Sequence, residues 1–378
     1  MQHNVSLRLL RSLPAKLRLA LVLVLFISCL PSPRDIANAT DDPIPILAYY
    51  YIWFDVKSWE RAKLDFPLMG RYSSDDSAVM LQHIKWAQGA GIDGFIVSWK
   101  STEKLNRRLD QLIWLADQEN FKLVIIYEGL DFERKPLPIS KVDADLDYFL
   151  EEYADHTVFD LFQKPLVIWS GTWMFSREDI QSVIIDKQDR LLILASEKNL
   201  KGYSRLSDIV DGNAYYWSSV NPSTHPGYPE KLTEMGKTVH ENGGLWIAPA
   251  APGYNSLLLG GTTIVERKEG ETLVTQMNTA LQSSPDAIGL ISWNEFSENS
   301  HIEPSINFGN HYLQVLTNFH TTTTPSVGDF DSNLPGETLN GLNLNRIIAI
   351  GLLVTIICTA LLVIIRRGYR LSPRDYQE

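Results

Sequence analysis

Apolar runs alternate with amphipathic stretches through the centre of the chain, from about residue 44 to residue 320. The runs are short and rich in Val, Ile, Tyr and Trp, which is typical of strands buried on both faces. The stretches between them repeat apolar residues at helical spacing. Strands are predicted at residues 46–53, 94–99, 123–127, 166–169, 191–195, 212–217, 245–250 and 288–291.

Helices are predicted in most of the intervals between these strands. The first is bounded by the capping candidate Asp76 and by Gly91, which favours a helix end. Further helices are predicted at residues 102–118, 143–153, 176–187, 229–241, 271–282 and 312–319. This alternation and length predict a (β/α)8 TIM barrel of the α/β class. A doubly wound open sheet is the alternative, although no Gly-rich phosphate loop follows the first strand.

The first residues predict a secretory signal. Basic side chains between residues 8 and 18 precede an apolar run at residues 19–30, and Ala37-Asn38-Ala39 follows it. A basic region, a short apolar region and an A-x-A site are the parts of a signal peptide, here predicted over residues 1–39. An uncut N-terminal anchor is the alternative.

The other end predicts a membrane span. Residues 347–365 carry no charge and can cross a bilayer as a helix, which we place at residues 346–366. Arginines follow at once, so the positive-inside rule places the tail, residues 367–378, in the cytoplasm. Residues 321–345 are rich in Thr, Gly, Asn and Pro and predict a flexible stalk. The expected chain is a single-pass cell-membrane protein whose main domain, residues 40–320, is extracytoplasmic.

Charge and cysteine content exclude several classes of function. The formal net charge of −11 argues against a nucleic-acid partner, because no basic face offsets it. Cys29 and Cys358 both lie in the apolar end segments, so no disulfide or thiolate metal site is expected in the central domain. No H-x-H or H-E-x-x-H spacing occurs, and we predict no metal and no cofactor. The absence of G-x-S-x-G argues against an α/β-hydrolase.

Two glutamates follow the last predicted strand. Glu295 and Glu298 lie three residues apart, among Trp293, Asn294 and Phe296. Carboxyls that are close together and screened by aromatic rings cannot ionise independently, so one is driven towards an acid and the other remains a base. Glycoside hydrolysis needs that division of labour. We therefore predict Glu295 and Glu298 as the catalytic pair, acting on a polysaccharide or glycan.

Aromatic and acidic side chains recur where the predicted strands end. In a (β/α)8 barrel these ends meet at one face, which carries the active site. Aromatic rings at such a face can stack on sugars, and carboxylate or amide groups can bind their hydroxyls. The substrate-binding candidates are Glu128, Tyr50, Trp53, Trp99, Tyr215, Tyr254, Trp293 and Asn294.

Six segments carry a resemblance to a known family. They read AYYYIW at residues 48–53, RYSSD at 71–75, GAGIDGFIVSW at 89–99, PAAPGY at 249–254, WNEFSE at 293–298 and IEP at 302–304. Through these segments the central domain resembles glycoside hydrolase family 99, the endo-α-1,2-mannosidases and endomannanases. The segment at 293–298 is the most specific of them.

The resemblance implies retaining hydrolysis that uses the substrate's own 2-hydroxyl and passes through an anhydro-sugar. Carried over by position, Glu295 is the base for that hydroxyl, and Glu298 protonates the leaving oxygen and then activates water. Glu128 matches a family acid that binds the sugar, and Tyr254 lies in a family loop near the site. Where the family usually reads Glu-Trp-His-Glu-Gly-Thr-Gln, residues 295–301 read EFSENSH, so both glutamates are kept and their neighbours differ.

Two functions are therefore expected. The first is a membrane-tethered, endo-acting, retaining glycoside hydrolase for α-linked, mannan-like polysaccharide or glycan. The alternative is a non-catalytic carbohydrate-binding or polysaccharide-assembly protein on the same barrel, since one barrel fold supports many activities. Retention of both glutamates favours the enzyme.

Overall fold

The computed structural model describes residues 43–323. The predicted signal at residues 1–39, the transmembrane helix at 346–366, the tail at 367–378 and most of the stalk lie outside the described residues. Within the described part, no helix combines the length and the apolar character needed to cross a membrane.

Parallel strands close into a barrel, as the alternating pattern predicted. Around the barrel of the described chain, the strand order is β1-β10-β7-β6-β5-β4-β3-β2, so each βα unit adds one strand beside the last. A separate antiparallel hairpin, β8–β9, follows β7. The strands are β1 (Ile46–Tyr51), β2 (Gly94–Trp99), β3 (Lys122–Glu128), β4 (Leu166–Ser170), β5 (Leu192–Ala195), β6 (Gly212–Ala214), β7 (Leu245–Ala250), β8 (Tyr254–Asn255), β9 (Ile264–Val265) and β10 (Ala287–Leu290).

Helices follow the strands and cover the barrel. Several begin at a polar side chain that accepts a backbone N–H: Asp76 accepts from Ala78 at 2.9 Å, and Ser176 accepts from Asp179 at 3.0 Å. The helices are α1 (Ser77–Gly89), α2 (Glu103–Gln118), α3 (Ile139–Glu152), α4 (Arg177–Ile184), α5 (Leu200–Ser204), α6 (Tyr228–Glu241), α7 (Glu271–Gln282) and α8 (His311–Thr323).

The strands separate two apolar layers. Because successive side chains point to opposite faces, Leu47 and Tyr49 of β1 lie inside the barrel, whereas Ala48 and Tyr50 pack beneath the helices. The same alternation holds in β2, where Ile96 is interior and Phe95 lies in the outer layer. Alternate residues of a strand therefore share a face. We call a position that faces the inside of the barrel one of interior parity, and a position that faces the helices one of outer parity.

Several element boundaries differ from the prediction. β1 ends at Tyr51 and β6 at Ala214, so the aromatic residues after them, included in the predicted strands, lie in loops. The short helix α5 and the β8–β9 hairpin were not predicted, because elements of five residues or fewer carry too little periodicity to be recognised.

The last described helix, α8, ends near the amino-terminal ends of the barrel strands. Gly91 lies in the turn before β2 with a φ of +80°, and a Cβ added there would lie 2.4 Å from His320 Cδ2. A glycine is therefore required at this contact, both for the backbone conformation and for space. α8 thus ends beside the amino-terminal edge of the barrel.

A buried arginine ties the end of β1 to α2. The side chain of Arg108 is fully buried, and its Nη1 donates to Ile52 O at 2.9 Å. Its Nη2 donates to Asp55 Oδ1 at 2.5 Å, and its Nε donates to Asp75 Oδ1 at 3.0 Å. These bonds satisfy the buried charge and hold the segments that follow β1 against α2.

We expect Arg108→Ala to lower the free energy of unfolding by about 2–4 kcal/mol, because it removes a buried, multiply bonded cation. Arg107→Ala is the matched control, since Arg107 also bonds Asp75 but its side chain is 59% exposed. That control should cost below about 1 kcal/mol. Urea denaturation of the two variants measures the difference, and equal losses would contradict the anchoring role of Arg108.

Candidate active site

A cleft of about 710 Å³ opens at the carboxyl ends of the barrel strands. Glu128 ends β3, and Glu295 and Glu298 lie in the loop after β10. All three predicted acids line this cleft. The structure therefore brings together the proposed catalytic pair and the proposed sugar-binding acid, at the face where (β/α)8 barrels carry their active sites.

The loop that carries the predicted catalytic pair is fixed to β1 by hydrogen bonds. Trp293 N donates to Tyr49 O at 2.8 Å. Asn294 Oδ1 accepts from Tyr51 N at 2.9 Å, while its Nδ2 donates to Tyr51 O at 3.0 Å. Asn294 is completely buried and thus clamps the end of β1. The side chain of Asn294 therefore bonds to the backbone of β1, whereas the sequence predicted that it contacts the substrate.

A second set of buried contacts holds the far end of the same loop. His301 Nε2 lies 3.1 Å from Asp65 Oδ2, and the His301 ring stacks on Phe296 at 4.0 Å between centroids. Burial lowers the pKa of His301 to about 4, so the ring is neutral at physiological pH. Arg267 Nη2 donates to the carbonyls of Asn299 at 2.9 Å and of His301 at 2.8 Å. Phe296 and His301, which differ from the family pattern, therefore pack against each other.

Glu295 is nearly buried, with 8% of its surface exposed. Burial raises its pKa, but hydrogen bonds from Ser297 and from the backbone of Glu298, and a nearby lysine, favour the charged form. The N–H of Ser297 donates to Glu295 Oε1 at 2.9 Å, and the charge of Lys63 lies near enough to lower the pKa. Glu295 is therefore the member of the pair with the better support for a negative charge.

Glu298 has a less favourable environment for ionisation. Burial and, after it, the charge of Glu295 together raise its pKa to about 7. Arg134 and a long contact of 3.5 Å from Ser218 Oγ oppose the shift. Glu295 therefore ionises first and Glu298 keeps its proton to near neutral pH, which gives one base and one acid.

Glu128 forms the third acidic group of the cleft. Burial raises its pKa, and the hydroxyl of Ser98, which donates to Glu128 Oε1 at 2.8 Å, opposes that shift. Lys100 and Arg134 also favour its charged form. Ser98 and Glu128 can face each other because both occupy the interior parity of their strands.

Two tyrosines beside the acids were missed from the sequence. The hydroxyls of Tyr51 and Tyr216 lie 2.7 Å apart. Burial, followed by the charges of Glu295, Glu298 and Glu128, raises the pKa of Tyr51 well above its usual value. Its neutral hydroxyl therefore lies among all three acids. The alternation of side chains along β1 could have identified Tyr51, because Tyr51 lies on the same interior-facing side of the strand as Tyr49.

Trp53 lies within the cleft, whereas Tyr254 lies beside it. Trp53 is 42% exposed, lines the cleft and stacks on Tyr51 with 4.3 Å between ring centroids. Tyr254 lines an adjacent cavity, and the charge of Glu298 contributes, after burial, to raising its pKa. Trp53 can therefore offer a ring face to a sugar, and Tyr254 lies at the edge of the site.

Four predicted substrate contacts lie away from the cleft. Tyr50, Trp99 and Trp293 are at most 2% exposed and belong to the layer beneath the helices. Tyr50 stacks on Phe95, and Trp99 donates to Asn106 Oδ1 at 3.0 Å. The hydroxyl of Tyr215, also in the outer layer, accepts from Lys231 Nζ at 2.9 Å. Their rings are used in packing, so contact with substrate is not supported by their placement.

Residues 61–317 match the family model of glycosyl hydrolase family 99. This match covers more than half of the chain. The chain belongs to glycosyl hydrolase family 99. The family resemblance predicted from the strand-end motifs is therefore confirmed.

Two curated relatives of this family 99 chain are mammalian. The glycoprotein endo-alpha-1,2-mannosidase of Rattus norvegicus is 22% identical over 264 residues, and that of Mus musculus is 23% identical over 268 residues. Each alignment covers 64% of this chain and 56% of the mannosidase, so the chain spans little more than half the length of these relatives.

Solved structures show the same fold. The family 99 endo-alpha-mannosidase from Bacteroides thetaiotaomicron has a TM-score of 0.66 at 19% identity, with 74% of this chain and 97% of that chain covered. A glycoside hydrolase-like protein has a TM-score of 0.58 at 16% identity, with 76% and 98% covered. At these identities the likeness supports the (β/α)8 barrel and not a shared substrate.

We expect Glu298→Gln to stabilise the protein above neutral pH. The folded state holds the Glu298 proton up to about pH 7, whereas the unfolded chain releases it near the ordinary value of 4.5. Stability therefore falls as pH rises through that window. Glutamine escapes this loss, so the variant should be about 1–3 kcal/mol more stable at pH 8 and gain little at pH 4.

Urea denaturation at both pH values measures this gain. Glu234→Gln is the control, because Glu234 is an exposed residue within α6 and its replacement should change stability little at either pH. A Glu298→Gln gain that is the same at pH 4 and pH 8 would contradict the raised pKa.

Proposed function

We propose that this family 99 chain is a retaining, endo-acting glycoside hydrolase for α-linked, mannan-like glycans. The observation that carries the proposal is the unequal environment of Glu295 and Glu298 within one cleft. Glu295 has a backbone donor and a nearby lysine to stabilise its charge, whereas Glu298 is held protonated by burial and by Glu295. The rat and mouse relatives are named as endo-alpha-1,2-mannosidases, which supports a mannose-containing substrate.

In the first proposed step, the Glu295 carboxylate takes the proton of the substrate's 2-hydroxyl. The freed oxygen attacks the anomeric carbon while the glycosidic bond breaks, and Glu298 gives its proton to the leaving oxygen. The products are a shortened glycan and a 1,2-anhydro-sugar. Glu298 is now a carboxylate and Glu295 a carboxylic acid.

In the second step, Glu298 takes a proton from water, which attacks the anomeric carbon and opens the anhydro ring. Glu295 returns its proton to the 2-oxygen, and both acids regain their starting states. Two inversions at one carbon give net retention. In the same proposal, Glu128 accepts hydrogen bonds from sugar hydroxyls, and Trp53 stacks on a sugar ring.

The first test is hydrolysis of α-mannans by the purified full chain. Glu295→Gln and Glu298→Gln should each lower kcat/KM by at least about a thousandfold, because each removes a proton-transfer group from the reaction. Activity should decline above about pH 7 as Glu298 loses its proton. NMR of the first-formed anomer should show retention.

The alternative of a non-catalytic carbohydrate-binding protein predicts a different result. In that case a mannan would bind to the full chain without turnover, and neither glutamine variant would alter the binding. Tyr50→Phe serves as a control, since this ring lies beneath the helices and its hydroxyl contacts His83 instead of the cleft. It should retain most of the hydrolytic activity.

We also propose that residues 346–366 hold the chain in the cell membrane with the barrel on the extracytoplasmic side. The full chain should stay with membranes after alkaline carbonate extraction, because a transmembrane helix resists release. Deletion of residues 346–378 should move it to the soluble fraction. Protease added to intact cells should digest the barrel of the full chain, and a barrel protected until the cells are lysed would overturn this orientation.

A further inference from the structure

The cleft is lined by cationic side chains that form no ion pair within the described chain, although acids line it too. Four cationic side chains line it: Lys57, Arg61, Lys100 and Arg134. In the described part of the chain, none of the four takes part in an ion pair, whereas many other lysines and arginines do. These cations are gathered at one site of a chain whose formal net charge is −11.

Two of the four act on the acids of the site. Burial raises the pKa of Glu128, and the charges of Lys100 and Arg134 oppose that shift. Arg134 also opposes the raised pKa of Glu298. Their positive charge is therefore explained by the carboxyls that they face.

Lys57 and Arg61 differ from these two. Neither is among the main charges that shift the pKa values of Glu128, Glu295 and Glu298. Of the two other acids that line the cleft, Asp55 is already bonded to Arg108 at 2.5 Å and to Lys104 at 3.0 Å. The second, Asp131, accepts the backbone N–H groups of Glu133 at 2.8 Å and Lys135 at 2.9 Å. Lys57 and Arg61 therefore have no acidic partner within the described residues.

Arg61 also repels a neighbouring cation. Burial lowers the pKa of Lys63, and the charge of Arg61 lowers it further, although Glu295 acts in the opposite direction. The positive charge of Arg61 therefore disfavours the charged form of Lys63. An anion bound beside Arg61 in the cleft would relieve that repulsion.

We propose that Lys57 and Arg61 bind an oxyanion, a carboxylate or a phosphate group, carried by the glycan that enters the cleft. This inference rests on the proposed function and names its substrate class as acidic rather than neutral mannan-like glycan. A guanidinium can bind either group with two parallel hydrogen bonds, and an ammonium adds a mobile point charge. The exposed ring of Trp53 lines the same cleft and can stack on the sugar that carries the anion.

The experiment compares three α-mannans of matched linkage: neutral, phosphorylated and uronate-bearing. The purified full chain is assayed with Lys57→Gln/Arg61→Gln, with Arg61→Lys, and with Lys201→Gln as the matched control. Lys201 is an exposed cation of α5 that does not line the cleft. The expected result is that the double variant lowers the ratio of kcat/KM for the acidic over the neutral glycan about tenfold.

Further readouts separate a charge effect from a general loss. Arg61→Lys should retain part of the preference, because it keeps the charge but loses the planar donors. Raising NaCl to about 0.5 M should weaken turnover of the acidic glycan more than that of the neutral one. The two acidic arms show whether phosphate or carboxylate is the group recognised. A ratio that the double variant leaves unchanged would overturn the inference.

Failure of the proposed function would give a distinct result. If the wild type hydrolysed none of the glycans, calorimetric binding of the same three glycans would still test the acidic preference. Tighter binding of an acidic glycan, lost in the double variant and kept in Lys201→Gln, would support the oxyanion site without catalysis. Equal binding of neutral and acidic glycans would overturn it.

Discussion

The repulsion between the carboxyls of Glu295 and Glu298 is the interaction on which the site depends. The two residues line one cleft, so the negative charge of Glu295 raises the cost of charging Glu298. Hydrogen bonds from Ser297 and from the backbone of Glu298, together with a nearby lysine, favour Glu295 as the one that ionises first. The chemistry of the site is thus set by small differences in surroundings and not by residue type, since both residues are glutamates.

Such small differences persist only if the loop that holds the acids is rigid. Asn294 fixes its beginning to the backbone of β1, and Arg267 and the Asp65–His301 pair fix its later part. Most of these groups are buried and bonded to one another, so the surrounding fold sets the relative positions of the two carboxyls. A neutral His301 suits this role, because its charge would otherwise shift with pH. Polar contacts therefore hold the loop that carries the two acids, whereas apolar contacts hold the layer beneath the helices.

The sequence was sufficient to predict the barrel and the acids that line its cleft. It was less successful in predicting which aromatic residues lie beside those acids. Apolar runs and the acids that follow them are local features, and Glu128, Glu295 and Glu298 were found from them. Tyr50, Trp99 and Trp293 were selected as substrate contacts because aromatic rings cluster near strand ends. Strand parity places Tyr50 and Trp99 beneath the helices and Tyr51 beside the acids, whereas Trp293 lies in the loop after β10 and packs into the same outer layer.

Other parts of the site come from contacts between distant segments. Lys63 and Arg134 belong to loops of irregular structure, and no periodic pattern connects them to Glu295 or Glu298. Their distance from the acids is set by how the loops fold over the barrel. Similarly, β6 was predicted too long, because the aromatic residues after Ala214 continue a strand-like composition into a loop.

The contact between Gly91 and His320 has a consequence for how a long substrate reaches the site. Because α8 ends at the amino-terminal edge of the barrel, the polypeptide leaves the described domain on the face opposite the cleft. The end of α8 therefore lies away from the mouth of the cleft. Cutting within a polymer, as opposed to trimming its end, requires an unobstructed mouth.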